Sequence, residues 1–330
     1  MKKALITGIT GQDGTYLSRF LLDKGYQIYG LVTDFDRSHL ENLKTLGIED
    51  QVNLLPGNLL NLPKVSELLD WLDPDEIYHL AAQSSVSRSF QDPLDTVTFN
   101  IQSTQHLLEA MRTLKLSARF YQASSSEMFG RVKTLPVVED CVLYPVSPYA
   151  ISKAASHWLA INYREAYGLF CCCGILFNHE SFLRPSNFVT KKIVSTAVRI
   201  AQGAREKLSL GNVDVKRDWG YAPEYVKSMW LMLQQDRPDE YVIATNEVHS
   251  LREFAAASFG YFGLNWEEHT IIDQELFRPS DIAAIYGNPA KAKTKLGWMY
   301  DLTFDELVRR LVEEELEHQN TNGEALVMKL

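Results

Sequence analysis

Residues Ala4 to Tyr16 read Ala-Leu-Ile-Thr-Gly-Ile-Thr-Gly-Gln-Asp-Gly-Thr-Tyr, and this stretch decides the fold class. A short apolar run ends in glycines at positions 8, 11 and 14, after which a helical pattern opens. At a strand–turn–helix junction such spacing serves a dinucleotide. Gly8 gives the tight turn, Gly11 lets the backbone approach a pyrophosphate, and Gly14 lets the helix pack closely on the strand. The free N–H groups and positive dipole end of the helix then face the phosphates. A glycine triplet by itself also fits an ordinary turn, so its place at the first strand–helix junction carries the weight.

Outward from this loop the chain alternates short apolar runs with helical patterns. Strands are expected at Ala4–Thr7, Gln27–Val32, Val52–Leu55, Glu76–Leu80, Phe120–Ala123 and Cys172–Phe177, with helices beginning near Gly14, Leu62, Pro93 and Pro148. Alternation of this kind predicts a parallel sheet with helices on both faces, and the near-continuous apolar strands suit burial on both sides. The expected fold is therefore α/β, a Rossmann-type doubly wound parallel sheet with a smaller C-terminal α/β substrate lobe. The rhythm places the dinucleotide-binding domain at 1–178, with segments around 212–245 packing back on it. The second lobe spans 179–330, with helices near 188–203, 222–235, 251–263 and 304–317 and short strands near 207–210 and 240–245. The polar tail 319–330 is expected to fray.

The 330 residues carry 33 basic and 42 acidic side chains, a formal charge of −9. That excess argues against a nucleic-acid or anionic-membrane surface, which needs surplus Lys and Arg. No apolar run approaches the ~20 residues of a membrane span, and the N-terminal apolar stretch, broken by Gly8, is too short for a signal-peptide core. The four cysteines are Cys141 and the run Cys171, Cys172 and Cys173. Neighbours on a strand point to opposite faces and show no metal-ligand spacing, so they read as small buried hydrophobes, no metal is expected, and a cytoplasmic location is expected.

Asp34 follows the second strand where a ribose-binding acid belongs, and its charge would repel the 2′-phosphate of NADP. It equally fits a solvated loop acid, and Arg37 stands nearby. Chemistry is concentrated in Ala123-Ser124-Ser125-Ser126-Glu127 and in Tyr149-Ala150-Ile151-Ser152-Lys153, which follows Ser147-Pro148. Spacing of i, i+4 puts Tyr149 and Lys153 on one helix face, where an ammonium favours a phenolate able to act as base. A serine at the neighbouring strand end can bond the hydroxyl that loses its proton.

This combination resembles the extended short-chain dehydrogenase/reductases, and more closely the GDP-mannose 4,6-dehydratase family. The similar stretches are ITGITGQDGTY (6–16), LAAQS (80–84), FYQASSSEMFG (120–130), SPYAISK (147–153), INYREAY (161–167), GILFNHES (174–181), FVTKK (188–192), LGNVDVKRDWG (210–220), FRP (277–279) and LGW (296–298). They run in order along nearly the whole chain. The resemblance implies that Ser125 bonds the sugar 4-hydroxyl, that Tyr149 is its base, and that Lys153 holds Tyr149 and the cofactor ribose. Glu127 would take the C5 proton and assist loss of the C6 hydroxyl. It further implies cofactor contacts from Gly8, Thr10, Gly11, Gln12, Asp13, Gly14, Asn58, Leu59, Leu80, Ala82, Ser84, His179 and Arg184. Nucleotide-sugar contacts would come from Ser85, Asn178, Val189, Lys192, Gly211, Arg217 and Arg278. Any single one of these cations also fits a solvated surface charge, and Trp219 and Phe277 read as core.

Four positions depart from the family. Asp34 and Phe35 stand where paired arginines usually hold the NADP 2′-phosphate, and Asn58 replaces an acid. Phe182-Leu183-Arg184-Pro185 replaces Pro-x-Arg-Gly, and Asp281 replaces a glutamate. The resemblance implies NADP(H), whereas Asp34 favours NAD(H). The expected activity is dehydration of a GDP-sugar, most simply GDP-mannose, by a homodimer or homotetramer. The alternative is a 4-reductase, C4 dehydrogenase or epimerase of the same fold; a plain reductase needs the Ser/Tyr/Lys set but has no use for Glu127, and a catalytically idle member is a third reading.

Overall fold

A computed structural model describes residues 1–33 and 40–320 of the chain. Asp34, Phe35 and Arg37 lie outside the described residues, as does the expected tail beyond Asn320. The first half alternates as the apolar runs dictate: β1 (Lys3–Thr7), α1 (Gln12–Asp23), β2 (Gln27–Val32), α2 (Glu41–Thr45), β3 (Asn53–Pro56), α3 (Leu62–Leu72), β4 (Glu76–His79), α4 (Val86–Gln91), α5 (Pro93–Leu114), β5 (Arg119–Ser125), α6 (Pro148–Tyr167) and β6 (Cys171–Leu176). Local chemistry sets the boundaries. The Asn61 side chain accepts from Lys64 N at 3.2 Å to start α3, and Ser147 Oγ accepts from Ala150 N at 3.1 Å to start α6. Both helices carry proline in the first turn, where its missing N–H costs nothing. Helix α6 stops at Gly168, whose φ is 70°.

The second half holds β7 (Asn178–Glu180), α7 (Val189–Ala201), β8 (Leu208–Leu210), β9 (Lys216–Arg217), β10 (Trp219–Tyr221), α8 (Ala222–Leu233), β11 (Glu240–Ile243), β12 (His249–Ser250), α9 (Leu251–Gly260), α10 (Trp266–His269), β13 (Thr270–Ile272), β14 (Ala284–Ile285), α11 (Ala290–Leu296) and α12 (Phe304–Asn320). Seven strands among the described residues form one parallel sheet in the order β11-β6-β5-β4-β1-β2-β3. The order reverses between β1 and β4, which opens a crevice at the carboxyl ends of the strands. One apolar core joins α1, β1 and β2 to α8 and β11 (Ile6, Tyr16, Ile28, Tyr225, Met229, Ile243). A separate core gathers α7, α9 and α12 around Ile193, Phe254 and Val308. Cys171, Cys172 and Cys173 are buried in β6.

Three details differ from the sequence reading. The strand expected to run to Leu80 ends at His79, and the one expected to stop at Ala123 continues to Ser125. The two- and three-residue strands of the second half, too short to show a period, were not foreseen apart from β8. Phe277, expected in the core, is 45% exposed, whereas Trp219 is buried.

At the amino ends of the strands, away from the crevice, Glu76, 1% exposed, accepts from Lys2 Nζ at 3.0 Å, Tyr26 OH at 3.0 Å, Tyr78 OH at 2.7 Å and Gln234 Nε2 at 3.1 Å. This carboxylate links the feet of β1, β2 and β4 to the end of α8. Replacing it leaves the buried Tyr78 hydroxyl without an acceptor, at about 1–3 kcal/mol per orphaned group. Glu76→Ala should therefore lower the urea-unfolding free energy by about 3 kcal/mol, with Tyr78→Phe costing much less.

Candidate active site

A cavity of about 600 Å³ opens at the crevice where the strand order reverses. Its nucleotide wall is the glycine loop. Gly8 has φ +73°, and a Cβ there would stand 2.9 Å from Ala81 N; a Cβ on Gly14 would stand 2.3 Å from Gly8 O. Gly11 N donates to Gly8 O at 3.1 Å. Gly11 also caps α1 with no side chain over its first turn. A backbone this closely packed, with open N–H groups facing a cavity, is the donor set that a dinucleotide pyrophosphate requires. Thr10, Gln12, Asp13, Leu59, Leu80, Ala82 and Ser84 also line the wall. Asn58 does not: its Oδ1 accepts from Leu60 N at 2.9 Å within its own turn.

Side chains from β7 lock this loop. Gln12 Nε2 donates to His179 O at 3.1 Å, Ser181 Oγ donates to Gln12 Oε1 at 2.8 Å, and His179 Nε2 lies 2.9 Å from Asp13 Oδ2. Burial works to raise the Asp13 carboxyl, but His179, Arg184 and the hydrogen bond from Gln12 outweigh it and hold the group well below the usual carboxylate range. The imidazole stacks on Tyr225 with centroids 4.8 Å apart.

Ser125, Glu127, Tyr149 and Lys153 converge on the far wall. Glu127 N donates to Ser125 Oγ at 3.3 Å, so the turn after β5 places the hydroxyl and the carboxylate two residues apart on one surface. Lys153 Nζ donates to Ala123 O at 2.8 Å and lies 5.9 Å from the centre of the Tyr149 ring. Burial lowers Lys153 to about 8. It raises Tyr149 to about 12, with the Glu127 charge adding to the rise and a hydrogen bond with Ser125 opposing it. Desolvation and the Glu127 charge thus work against the phenolate that the neighbouring ammonium is expected to favour.

The remaining predicted residues divide. Ser85, Asn178, Val189, Arg184 and Arg278 line the cavity. Ser85 caps α4, its Oγ accepting from Arg88 N at 3.3 Å. Arg184 Nε donates to Glu180 Oε2 at 2.9 Å, and Arg278 reaches Asp281 at 3.3 Å. Lys192 and Arg217 are turned elsewhere. Lys192 Nζ donates to Ser209 O at 2.6 Å, and Arg217 donates to Asp281 Oδ1 at 2.8 Å and Ile282 O at 2.7 Å. Gly211 is a packing glycine, since a Cβ there would lie 2.8 Å from Leu276 O. Sequence reading did not single out Ser87, Asn187 or Thr190, which also face the cavity. Asn187 sits in no motif, while Thr190 lies within the quoted FVTKK segment.

The family model described as GDP-mannose 4,6 dehydratase matches residues 5–311. The chain is 48% identical to GDP-mannose 4,6 dehydratase 1 of Arabidopsis thaliana, covering 96% of this chain and 90% of the relative. It is 43% identical to the human GDP-mannose 4,6 dehydratase, covering 98% and 93%. Among solved structures it superposes with TM-score 0.84 on a dTDP-glucose 4,6-dehydratase of Bacillus anthracis in complex with NAD. That match is 20% identical and covers 97% and 98% of the two chains, a likeness of fold.

The buried ammonium has a measurable consequence. At neutral pH Lys153 is charged in both folded and unfolded chains, so the folded state bears the full burial cost. Between about 8 and 10.5 the folded state releases its proton first, and stability rises with pH through that window. Lys153→Met should be more stable than the parent in urea at neutral pH, by on the order of 1–3 kcal/mol. The gap should close as pH passes the ordinary lysine value. A variant less stable at both ends of the window would contradict this assignment.

Proposed function

The chain belongs to the GDP-mannose 4,6-dehydratase family, and from that premise we propose that it converts GDP-mannose to GDP-4-keto-6-deoxy-mannose with loss of water. The observation that carries this reading is Glu127, placed beside Ser125 in the cavity that also holds Tyr149 and Lys153. C5–H is not acidic until C4 is a ketone, so an elimination site needs an oxidation apparatus and a second base together. A reductase needs only the first.

The glycine loop, Leu59, Leu80, Ala82 and Lys153 would hold a nicotinamide dinucleotide, whose chemistry when bound is to accept hydride from C4 and give it back at C6. Ser125 Oγ orients the 4-hydroxyl and Tyr149 Oη takes its proton. The Glu127 carboxylate removes the C5 proton and passes it to the departing C6 hydroxyl, which leaves as water. As C6 receives hydride, C5 regains a proton, which balances the one Tyr149 took from the 4-hydroxyl. The sum is loss of one water, with no external oxidant. Arg278 and Arg184, which line the cavity, would meet the diphosphate, guanidinium matching phosphate bidentately.

The same reading includes a preference for NAD(H) over NADP(H), supported by the charge of Asp34. It also includes an organisation into residues 1–178 and 179–330, a cytoplasmic location, and assembly with further copies. Exposed Leu94 on α5 and exposed Ile151 and Trp158 on α6 support an assembly face there. No helix among the described residues is long and apolar enough to cross a membrane.

Incubation with GDP-mannose and catalytic NAD should yield a 4-keto-6-deoxy product one water lighter, with no net cofactor turnover. Glu127→Gln should lower that rate by about 10²–10⁴-fold while nucleotide binding persists. If neither GDP-mannose nor other GDP-hexoses and GDP-heptoses lose water, the reading fails. Net nicotinamide turnover, or a changed stereocentre without dehydration, would point to a reductase or epimerase. Asp34→Arg should shift relative binding toward the 2′-phosphorylated cofactor, measured by titration at matched salt.

A further inference from the structure

Strand β5 and helix α6 meet through three consecutive strand residues and three helix residues spaced four apart. Lys153 Nζ donates to Ala123 O at 2.8 Å. Ser124 Oγ and His157 Nδ1 share a hydrogen bond of 2.9 Å. Ser125 and Tyr149 stand together on the cavity wall. Positions 149, 153 and 157 follow one another up one face of the helix. Two of these three links are made by the reacting groups. The third, Ser124 with His157, has no part in the chemistry proposed above.

His157 is 4% exposed and Ser124 3%. The surroundings of the ring are the neighbouring Trp158, met edge-on at 5.8 Å, and the more distant charges of Glu240 and Arg164. Burial lowers the imidazole to about 4, so it is neutral at ordinary pH and adds no charge one turn from the Lys153 ammonium. A buried hydroxyl–imidazole bond adds little net stability, which an apolar pair of the same shape can match. What the apolar pair lacks is direction. The bond fixes both the rise and the rotation of α6 against the end of β5.

We propose that His157 is a positioning residue of the reaction: through Ser124 Oγ it sets the placement of Tyr149 and Lys153 relative to Ser125. The role in turnover rests on the dehydratase reading; the contact and its geometry do not. A shift of about 1 Å in such an array costs on the order of 100-fold in rate.

The test uses the full-length protein. His157→Phe and Ser124→Ala should each lower kcat by about 10–100-fold. KM for GDP-mannose should stay within about threefold, because the arginines that meet the diphosphate lie on other elements. The double variant should be no slower than the worse single one, since both remove the same link. His157→Asn, whose amide reaches the Nδ1 position, should recover most of the rate, while His157→Phe keeps a thermal midpoint near that of the parent. In ligand-free protein labelled with ¹⁵N-histidine, the Nδ1 resonance of His157 should move on Ser124→Ala. Full kcat in His157→Phe, additive losses in the double variant, or a resonance indifferent to Ser124→Ala would each overturn the proposal. A parent protein that dehydrates no GDP-sugar overturns the dehydratase reading instead, and the resonance still reports on the link.

Discussion

Lys153 keeps its ammonium inside the protein with a main-chain carbonyl, Ala123 O, as acceptor, in a place where burial lowers its pKa to about 8. A charge so placed is costly unless its surroundings are held rigid around it. The site is arranged to hold it. Asn100, itself buried, donates from Nδ2 to Gln83 O at 3.1 Å and to Ser152 Oγ at 2.9 Å, and its Oδ1 accepts from Gln83 N at 2.9 Å. It therefore ties the loop after β4 to α6. Helix α6 is thus held both by this loop and by the end of β5.

The nucleotide wall follows a related rule, with rigidity coming from the second half of the chain. Gln12 and Asp13 open α1, yet their partners are His179 and Ser181 in and after β7. The glycine loop is therefore completed by residues about 165 positions later. Stacking of His179 on Tyr225 extends the tie to α8. Dinucleotide and sugar portions of the cavity are consequently not independent: displacing β7 alters the phosphate loop and the wall bearing Asn178 together.

This arrangement explains which parts were legible in the sequence. The glycine spacing, the apolar runs and the Tyr149–Lys153 spacing are local signals, and the elements they mark are where the periods put them. Long-range partners are not local. Nothing in the segment around Lys192 says that its ammonium reaches Ser209 O, nor does Lys-Arg-Asp-Trp-Gly say that Arg217 is taken by Asp281 and a carbonyl. The surroundings of Tyr149 are not local either. Spacing supplies the neighbouring ammonium, whereas desolvation, which acts against the phenolate, is a property of the packed site. Gly211 looked like part of a binding segment, whereas its missing Cβ makes room for the Leu276 carbonyl.

Charge pairing sets how an acidic protein can bind a twice-anionic ligand. Arg184 is held by Glu180 and Arg278 by Asp281. Both guanidinium groups that line the cavity are therefore met by a carboxylate before any phosphate arrives, and a phosphate that meets them does so by an exchange of partners. Exchange is selective. A lone phosphate must displace a carboxylate already in place, with geometry equal to its own, whereas a ligand that also fills the glycine loop and the sugar wall adds contacts that a carboxylate cannot. Glu180 is 3% exposed and also accepts from Thr190 Oγ1 at 2.7 Å, so the acid that holds Arg184 is itself fixed in place. A site of this kind discriminates by shape as well as by charge.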